Sequence, residues 1–558
     1  MLFLLFCQIL ISLCCLAAGC LFYRFAGVDL PPTSRIFVTG LVVTACAAQF
    51  ASLFVPLNHW ALLGYITVLI AGTILNPSFF YAACRAARES WAKSSHLEKG
   101  SLIFFLLFNA LLAAYPIIMD DTGSYHIQVV RWLKTYAAVP GIANLHERFG
   151  FQSSLFPALA LFYPGSFSQN AYGMLNSTVS AWLLVYLILT PGLRAWRLLL
   201  LLFFLLPWQL LRGGGSNANY DLVCTVILIL LFAGCLKTGT AQKEQWAEWM
   251  LWICFLNCVR LMLFPFVFAA AWAALQLWKQ QYYRTLAASA FVCLLTAVGF
   301  LARNYISSGY LFYPSLAANW WHPDWQVPAE KVNILLEYIR YFNRVTDEYQ
   351  EIAVTKSMGP IAWIPVWFRL LPPVDKCLLL LAIGGSILFT WKAKHHYEKF
   401  RSSGLSVLCI AGGLALAAWF LIAPDPRFAY GMLLPLAAFC CRFIQQKIAA
   451  GRLTNTYRRS LLLVTCCSLL YLGIKIKRDR NWQWLFLPAA VQKPGWKSVQ
   501  IEGIELRIPE KIDGNWNSRC YDTPLPCLYE IAPGLELRTG RLKDGFKINY
   551  LAAETKKP

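Results

Sequence analysis

The chain has 558 residues, of which 58% are hydrophobic and 14% are charged, and its mean hydropathy is +0.51. A soluble domain carries about a quarter charged residues and about half apolar ones, so this composition excludes an ordinary soluble protein. The formal net charge of +21 would suit nucleic-acid binding. The basic residues, however, lie in short loops between apolar segments, where membrane topology and anionic lipid explain them, and we expect no nucleic-acid partner.

Apolar blocks recur along the chain, beginning with 2–22, 36–55 and 102–119. A helix needs about 20 apolar residues to cross the bilayer core, because its backbone polar groups must be paired inside the hydrocarbon. The sequence therefore predicts an all-α polytopic membrane protein with about 13 or 14 transmembrane helices. The first block lacks the basic start and the small-residue cleavage site of a signal peptide, so we expect it to remain as a helix.

Basic residues between the apolar blocks give the predicted orientation. The segment 85–99 carries four of them, and the positive-inside rule places it in the cytoplasm. Most polar residues then fall in loops of the opposite, outer face, at 120–170, 212–221, 303–375 and 423–428. This alternation requires 250–278 to cross the membrane twice, as two short helices that meet near Arg260. A single crossing would invert the predicted membrane orientation of every later segment.

The polar tail after residue 478 falls on the outer face too. Alternating apolar and polar residues at 501–508 and 535–537 predict a small β-rich piece outside the membrane. Cys520 and Cys527 lie in this tail, and a disulfide between them would require an oxidising compartment. We divide the chain into additional N-terminal transmembrane helices at 1–100, a transmembrane core at 101–476 with outer loops 120–170 and 303–375, and a small periplasmic domain at 477–558.

Two adjacent carboxylates, Asp120 and Asp121, end a predicted span and begin an amphipathic stretch. From Ser124 onward the polar residues recur with helical spacing, which predicts a helix lying in the membrane interface. A carboxylate at the edge of the hydrocarbon is partly desolvated, so its pKa should rise, and it could take a proton from a hydroxyl group. Alternatively, Asp121 or Thr122 only caps the helix that follows.

Other candidate residues lie in neighbouring outer loops. Glu147 is a candidate for a share of the acid–base work or for a divalent metal, and Arg148 for a phosphate, although a solvated Glu–Arg turn would explain both. The glycine-rich stretch 212–221 could bring backbone amides to a phosphate or could be a plain connector, and it lacks the lysine of a P-loop. The candidate substrate-binding residues of these loops are Tyr125, His126, His146, Arg148, Asn217, Asn219 and Asp221.

Three arginines, Arg260, Arg303 and Arg427, each lie where a predicted span meets the outer face. Arginine near membrane depth is costly, so it is usually paired or functional. Three of them converging on one cavity would suit a phosphate head group, whereas simple snorkelling to lipid phosphate is the alternative for each. We find no Ser-His-Asp order, zinc spacing or dinucleotide loop, and the metal requirement stays open.

This arrangement resembles the GT-C superfamily of membrane glycosyltransferases, which combine a multi-span bundle, an acidic motif in the first large outer loop and interfacial helices after it. The matching acids here are Asp120 and Asp121. The superfamily places the acid after the first span, whereas about three spans precede it here and would be an N-terminal addition. The segments DTGSYH, NLHERFGFQSS, PDPRF and CYDTPLPC also resemble motifs shared by an uncharacterised family of bacterial membrane proteins.

The resemblance implies an inverting glycosyltransferase that moves a sugar from a polyprenyl-phosphate donor to a lipid or glycan acceptor, at the periplasmic face of the bacterial inner membrane. One of the two aspartates would deprotonate the acceptor hydroxyl, and arginines would stabilise the departing phosphate. No cofactor is certain, and a divalent metal is an open option. A transporter or flippase of lipid-linked saccharides and a polymerase or ligase of surface polysaccharide are the alternatives. The polar residues lie at one face rather than at mid-depth and we detect no internal repeat, which favours an enzyme over a transporter.

Overall fold

The protein is described by a computed structural model that covers residues 1–165, 170–190, 194–237, 243–345, 352–395, 404–448, 453–479, 483, 486–501, 504–510, 519–528 and 531–549. Within these ranges the chain is mostly helical, with a small β-rich piece near its C-terminal end. The expected fold class is confirmed at this level. Parts of the predicted loops 120–170 and 303–375 and of the predicted domain 477–558 lie outside the described residues.

The helices of the first half of the chain begin at its second residue, so the first apolar block is a helix as predicted. They are α1 Leu2–Ala26, α2 Thr33–Ala51, α3 His59–Leu75, α4 Pro77–Lys93, α5 His96–Ala113, α6 Ile127–Thr135, α7 Ile142–Leu145, α8 Leu155–Phe162, α9 Met174–Leu189, α10 Arg194–Leu205, α11 Trp208–Gly215, α12 Asp221–Lys237 and α13 Lys243–Val259. A π-helical turn at Thr122–His126 leads into α6, which is the amphipathic helix that the sequence predicts.

The second half continues the helical pattern and ends in strands. Its helices are α14 Val267–Lys279, α15 Tyr283–Ser308, α16 Ala329–Phe342, α17 Ile352–Ser357, α18 Gly359–Leu370, α19 Pro373–His395, α20 Leu405–Ile422, α21 Tyr430–Ile448 and α22 Leu453–Asp479. The strands are β1 Trp496–Ile501, β2 Ile504–Pro509, β3 Leu535–Leu537 and β4 Phe546–Ile548. β1 pairs with β2 and β3 with β4, both antiparallel, which confirms the β-rich tail.

Eight helices of the described chain are long and apolar enough to cross a membrane: Leu2–Ala26, Thr33–Ala51, His96–Ala113, Leu261–Lys279, Tyr283–Ser308, Pro373–Trp391, Leu405–Ile422 and Tyr457–Arg478. A ninth results if α3 and α4, which meet at 92°, form one broken span. Four further apolar helices have 10–17 residues, which is why fewer spans satisfy the length criterion than the 13 or 14 predicted. These helices are consistent with a multi-pass membrane protein.

The segment around Arg260 folds as two helices that lie side by side. α13 ends at Val259, a 3₁₀ turn follows Arg260, and α14 returns along α13, so that the rings of Trp249 and Trp272 lie 5.7 Å apart. Arg260 itself has an extended backbone in the break. Two helices on either side of Arg260 are present as predicted, and their double crossing of the membrane stays a prediction.

The tail packs on the amphipathic helix rather than standing apart from it. Cys520 and Cys527 form a disulfide, which closes a short loop of the tail. The side-chain amide of Gln128 in α6 donates hydrogen bonds to the carbonyls of Tyr521, at 3.0 Å, and Thr523, at 2.9 Å. The disulfide-closed loop is thereby fixed next to the segment that carries Asp120 and Asp121.

Candidate functional site

Charged side chains from distant parts of the chain meet around Arg427. Its Nη2 lies 3.4 Å from Oδ2 of Asp121, and its Nε lies 3.7 Å from Oδ2 of Asp221 and 2.9 Å from Oδ2 of Asp425. Asp121 also accepts a hydrogen bond from Arg148 at 3.0 Å. Because each carboxylate is held by a guanidinium group, the positions of all these side chains are coupled.

A second ion pair extends this network. Arg260 donates to Asp221, and both side chains are nearly buried, with 11% and 9% of their surfaces exposed. Asp221 therefore links Arg260 to Arg427. We call the group formed by Asp121, Arg148, Asp221, Arg260, Asp425 and Arg427 the ion-pair network. Five of its six members, all except Arg260, lie in loops predicted to be on the outer face, and the structure brings them together.

Local backbone structure explains why each charge lies where it does. Arg427 occupies a 3₁₀ turn, Pro426–Phe428, and the side chain of Asp425 accepts the hydrogen bond of its backbone N–H at 3.0 Å. Asp221 is the first residue of α12, where a negative charge is stabilised by the helix dipole. The network is thus built from helix ends and turns, which leave backbone donors available to acidic side chains.

Aromatic rings lie against the guanidinium groups of the network. The Cζ atom of Arg260 lies 3.9 Å from the ring centre of Phe428 and 5.1 Å from that of Tyr220. Arg148 lies 5.7 Å from the ring of Tyr125 and 5.4 Å from that of Tyr338. These cation–π contacts stabilise arginines that are removed from bulk water.

The charge of Asp121 is stabilised more strongly than the sequence predicts. Burial by itself raises the pKa of this carboxyl group, but Arg427 and Arg148 outweigh that effect, and the net shift is below its ordinary value. Arg427 has its pKa raised by Asp425, Asp221 and Asp121 against the effect of burial, so it keeps its proton. The expected rise in the pKa of Asp121 is therefore wrong. That prediction considers the effect of desolvation but not the effect of the two arginines next to the carboxylate.

Asp120 is separated from the network although it is the neighbour of Asp121. Its side chain is 77% exposed and pairs with Arg519 of the tail. Asp121, by contrast, has 26% of its side chain exposed and faces the two arginines. The two aspartates that the sequence treats as alternatives have different environments, and only Asp121 lies among the other candidate residues.

The two candidate histidines are buried and support their neighbours. His126 lies 3.2 Å from the hydroxyl of Thr122, and Nδ1 of His146 accepts the backbone N–H of Arg148 at 3.0 Å. Burial lowers the pKa of each to about 3, so both imidazoles are neutral near pH 7. His146 acts on the network by fixing the turn that carries Arg148.

The glycine-rich loop holds the backbone just before the aspartates. The side-chain oxygen of Asn217 accepts hydrogen bonds from the backbone N–H groups of Ile118, at 3.2 Å, and Met119, at 3.0 Å. Asn219 contacts the sulfur of Met119. Asn176 of α9 in turn donates to the carbonyls of this loop, and sequence reasoning missed it. The signal was an asparagine inside an apolar helix, where an amide needs partners.

Arg303 and Glu147 also have neighbours outside the ion-pair network. Arg303 donates to Gln152 and Ser52 and lines a cavity of about 20 Å³, which is large enough for one water molecule but not for a phosphate. Glu147 lies near Tyr313, whose pKa is raised by burial and by this neighbouring charge. The described contacts of Arg303 do not include Arg260 or Arg427, so the convergence of the three arginines stays a prediction.

No group of three or more His, Cys, Asp or Glu residues in the described part of the chain is arranged to hold a metal ion. The three aspartates of the network are instead neutralised by arginine. Sequence reasoning missed Asp425, although it lies in the PDPRF segment, and missed Tyr220 and Tyr338. Their spacing along the chain gives no signal, since they come together only through the fold.

Comparison with curated proteins finds no match, and comparison with solved structures finds none either. One family model matches residues 1–434, which is most of the chain and includes every member of the ion-pair network. The description of that family is a domain of unknown function. The chain therefore belongs to the family of this domain, DUF8201.

Proposed function

We propose that this protein is an inverting membrane glycosyltransferase, which moves a sugar from a polyprenyl-phosphate donor to a hydroxyl group of a lipid or glycan acceptor. We place the reaction at the periplasmic face of the bacterial inner membrane. The observation that carries the proposal is the pairing of Asp121 with Arg148 and Arg427, a carboxylate next to two cations that suit a phosphate. The three side chains are 20–26% exposed, so a substrate can reach them.

In the proposed reaction the acceptor oxygen forms a bond to the anomeric carbon, and the bond from that carbon to the phosphate oxygen breaks. The leaving phosphate keeps the electron pair, and the acceptor proton passes to Asp121. Arg148 and Arg427 stabilise the charge that grows on the phosphate. The chemistry needs no redox partner.

The lowered pKa of Asp121 makes it a weak base in the protein without substrate. A bound phosphate would attract Arg148 and Arg427 and so offset their stabilisation of the carboxylate. Its pKa then rises toward the value that burial alone would give, and the group becomes basic when the donor is in place. Proton transfer is thereby linked to donor binding.

The test compares two neighbouring substitutions, Asp121→Asn and Asp120→Asn. Each variant of the full chain is purified and incubated with undecaprenyl phosphate bearing a labelled hexose, over a panel of sugars and acceptors. We expect Asp121→Asn to reduce transfer at least about a hundredfold, on the scale of general base catalysis, while Asp120→Asn retains most of it. Full transfer by Asp121→Asn would refute the mechanism.

The same preparations distinguish the alternatives. In liposomes, movement of the labelled lipid from one leaflet to the other without any covalent change would indicate a transporter or flippase. Joining of whole oligosaccharides rather than single sugars would indicate a polymerase or ligase. We favour the transferase because Asp121, the proposed base, and its two cations lie at helix ends and loops rather than inside a long helix.

A further inference from the structure

A large apolar cavity lies between α5, α10, α11 and α22. Its volume is about 670 Å³, which is within the usual range for sites that bind small molecules. Among its described lining residues Arg212 carries the only charge. Six of the other side chains that line it are Phe108, Leu112, Leu198, Leu202, Val464 and Tyr471.

Arg212 lines this cavity, and a second cation, Lys475, does not line it but lies against the same tyrosine ring as Arg212. Arg212 is in the last turn of α11, and its Cζ lies 5.1 Å from the ring centre of Tyr115. Nζ of Lys475 lies 4.7 Å from the same ring, and Lys475 is only 3% exposed. A phosphate next to this ring would accept hydrogen bonds from both side chains, and Arg212 can donate two in parallel.

This pair of cations is connected to the proposed catalytic segment. A Cβ atom on Gly213, the neighbour of Arg212, would lie 3.5 Å from the sulfur of Met119. Met119 directly precedes Asp120, and its backbone N–H is held by Asn217. Whatever is attached to a phosphate at Arg212 and Lys475 would therefore lie near the start of the Asp120–Asp121 segment.

We propose that this cavity binds one hydrocarbon chain of a single-chain isoprenoid phosphate, with the phosphate held by Arg212 and Lys475. One apolar cavity with one cationic end fits one chain on one phosphate, whereas a diacyl phospholipid must place two chains. Burial of the chain supplies the affinity, and the cations determine which end enters. The lipid bound here would be the sugar donor before its phosphate moves to Arg148 and Arg427 for transfer. This assignment rests on the proposed function, whereas the binding itself does not.

The binding test uses the full chain in nanodiscs and a photoreactive farnesyl monophosphate. We expect crosslinks to α10 and α22, competed by undecaprenyl phosphate but not by undecaprenol, which lacks the phosphate. Arg212→Gln should weaken this competition about tenfold or more, because a charge-assisted hydrogen bond is lost. Arg212→Lys keeps the charge and should be affected less.

A matched pair of substitutions on α22 tests the cavity. Val464→Trp fills the space that Val464 lines, and Leu470→Trp adds the same bulk on the same helix at a site that is 67% exposed. Only Val464→Trp should abolish crosslinking, and size-exclusion profiles of both variants should match that of the unmodified protein. If Val464→Trp does not fold, Val464→Phe and Arg212→Gln still carry the test.

Three outcomes would overturn the inference: equal crosslinking in both tryptophan variants, competition by undecaprenol as strong as by its phosphate, or displacement by phosphatidylglycerol. The first two indicate lipid bound only as part of the bilayer, and the third indicates a diacyl phospholipid. Binding without any Asp121-dependent transfer would reject the proposed function and leave this site in place. Asp121-dependent transfer that is unaffected by Val464→Trp and Arg212→Gln would reject this lipid site and leave the proposed function in place.

Discussion

Arg427 meets Asp121 across 306 positions of the chain, with Nη2 of the arginine 3.4 Å from Oδ2 of the aspartate. Asp120, adjacent to Asp121, pairs instead with Arg519 of the tail. The backbone turns at this point into a π-helical segment that separates the directions of the two side chains. One carboxylate thus faces the core of the protein and the other faces the surface.

Removing the carboxylate of Asp221 should be strongly destabilising. Asp221 pairs with Arg260, and both are nearly buried, so Asp221→Asn leaves a buried cation with one partner fewer. We expect a loss of about 3–5 kcal/mol in the free energy of unfolding, the usual result of breaking a buried ion pair from one side. Thermal unfolding in detergent, followed by tryptophan fluorescence, measures it.

The double variant Asp221→Asn/Arg260→Gln is the control for that prediction. It removes both charges, so it should be more stable than Asp221→Asn alone although it loses more groups. Asp120→Asn, at an exposed site, should change stability by less than about 1 kcal/mol. A double variant less stable than the single one would contradict the pairing.

The buried histidines should make the protein sensitive to acid. His126 and His146 have pKa values near 3 in the folded protein, against 6.5 for an ordinary histidine, so the unfolded chain binds more protons between these values. Stability is then complete above pH 6.5 and falls as the pH decreases toward 3, by roughly 2 kcal/mol per histidine at pH 5. Asp121 has a lowered pKa, so its contribution to stability is lost only when the pH falls below the range in which an ordinary carboxyl group titrates.

Unfolding temperatures at pH 7.5 and pH 5 measure this effect. His126→Gln should reduce the difference between the two temperatures, whatever it does to stability at pH 7.5. His322→Gln, at an exposed site, should leave the difference unchanged. If His126→Gln and His146→Gln together keep the full difference, the acid sensitivity has another origin.

The contact between Gly123 and Tyr521 should control docking of the tail. A Cβ atom on Gly123 would lie 2.6 Å from the ring of Tyr521, so Gly123→Ala must displace that ring. We expect faster trypsin cleavage in the tail, measured by mass spectrometry over time. The double variant Gly123→Ala/Tyr521→Ala removes the tyrosine ring and therefore the clash. It should regain part of the protection against trypsin. Identical cleavage of Gly123→Ala and the unmodified protein would rule out the contact.

Alanine should have opposite effects on stability at two glycines, one packed between α1 and α2 and the other facing open space on α3. A Cβ on Gly40 would lie 1.6 Å from the carbonyl oxygen of Cys15, which is backbone and must move. Gly40→Ala should therefore destabilise the protein by about 1–3 kcal/mol, the usual effect of overpacking. Gly64 in α3 has nothing within 4 Å, so Gly64→Ala should stabilise by up to about 1 kcal/mol through helix propensity. Thermal unfolding of the two variants gives the comparison, and a shift of the same sign in both would refute it.

Some of the candidate site could be predicted because polar residues stand out in an apolar chain. The loops and span ends between apolar blocks contain Asp121, Arg148, Asp221, Arg260 and Arg427, and the structure joins them. Arg303 also lies at a span end, but its hydrogen bonds are to Gln152 and Ser52 rather than to the carboxylates of the network. Position at the end of a span gives the depth of a residue but not its direction around the bundle, because that depends on how the helices pack.

The sequence by itself determined the apolar helices, the amphipathic helix after Asp121 and the strands of the tail. These features follow from the local periodicity of hydrophobic residues and from the need to pair backbone groups within each segment. Only the tertiary structure decided that Asp121 rather than Asp120 faces Arg427, that its pKa falls rather than rises, and that a cavity opens beside Arg212. Charge interactions depend on distances of a few ångströms between residues far apart in the chain, and local sequence carries no measure of those distances.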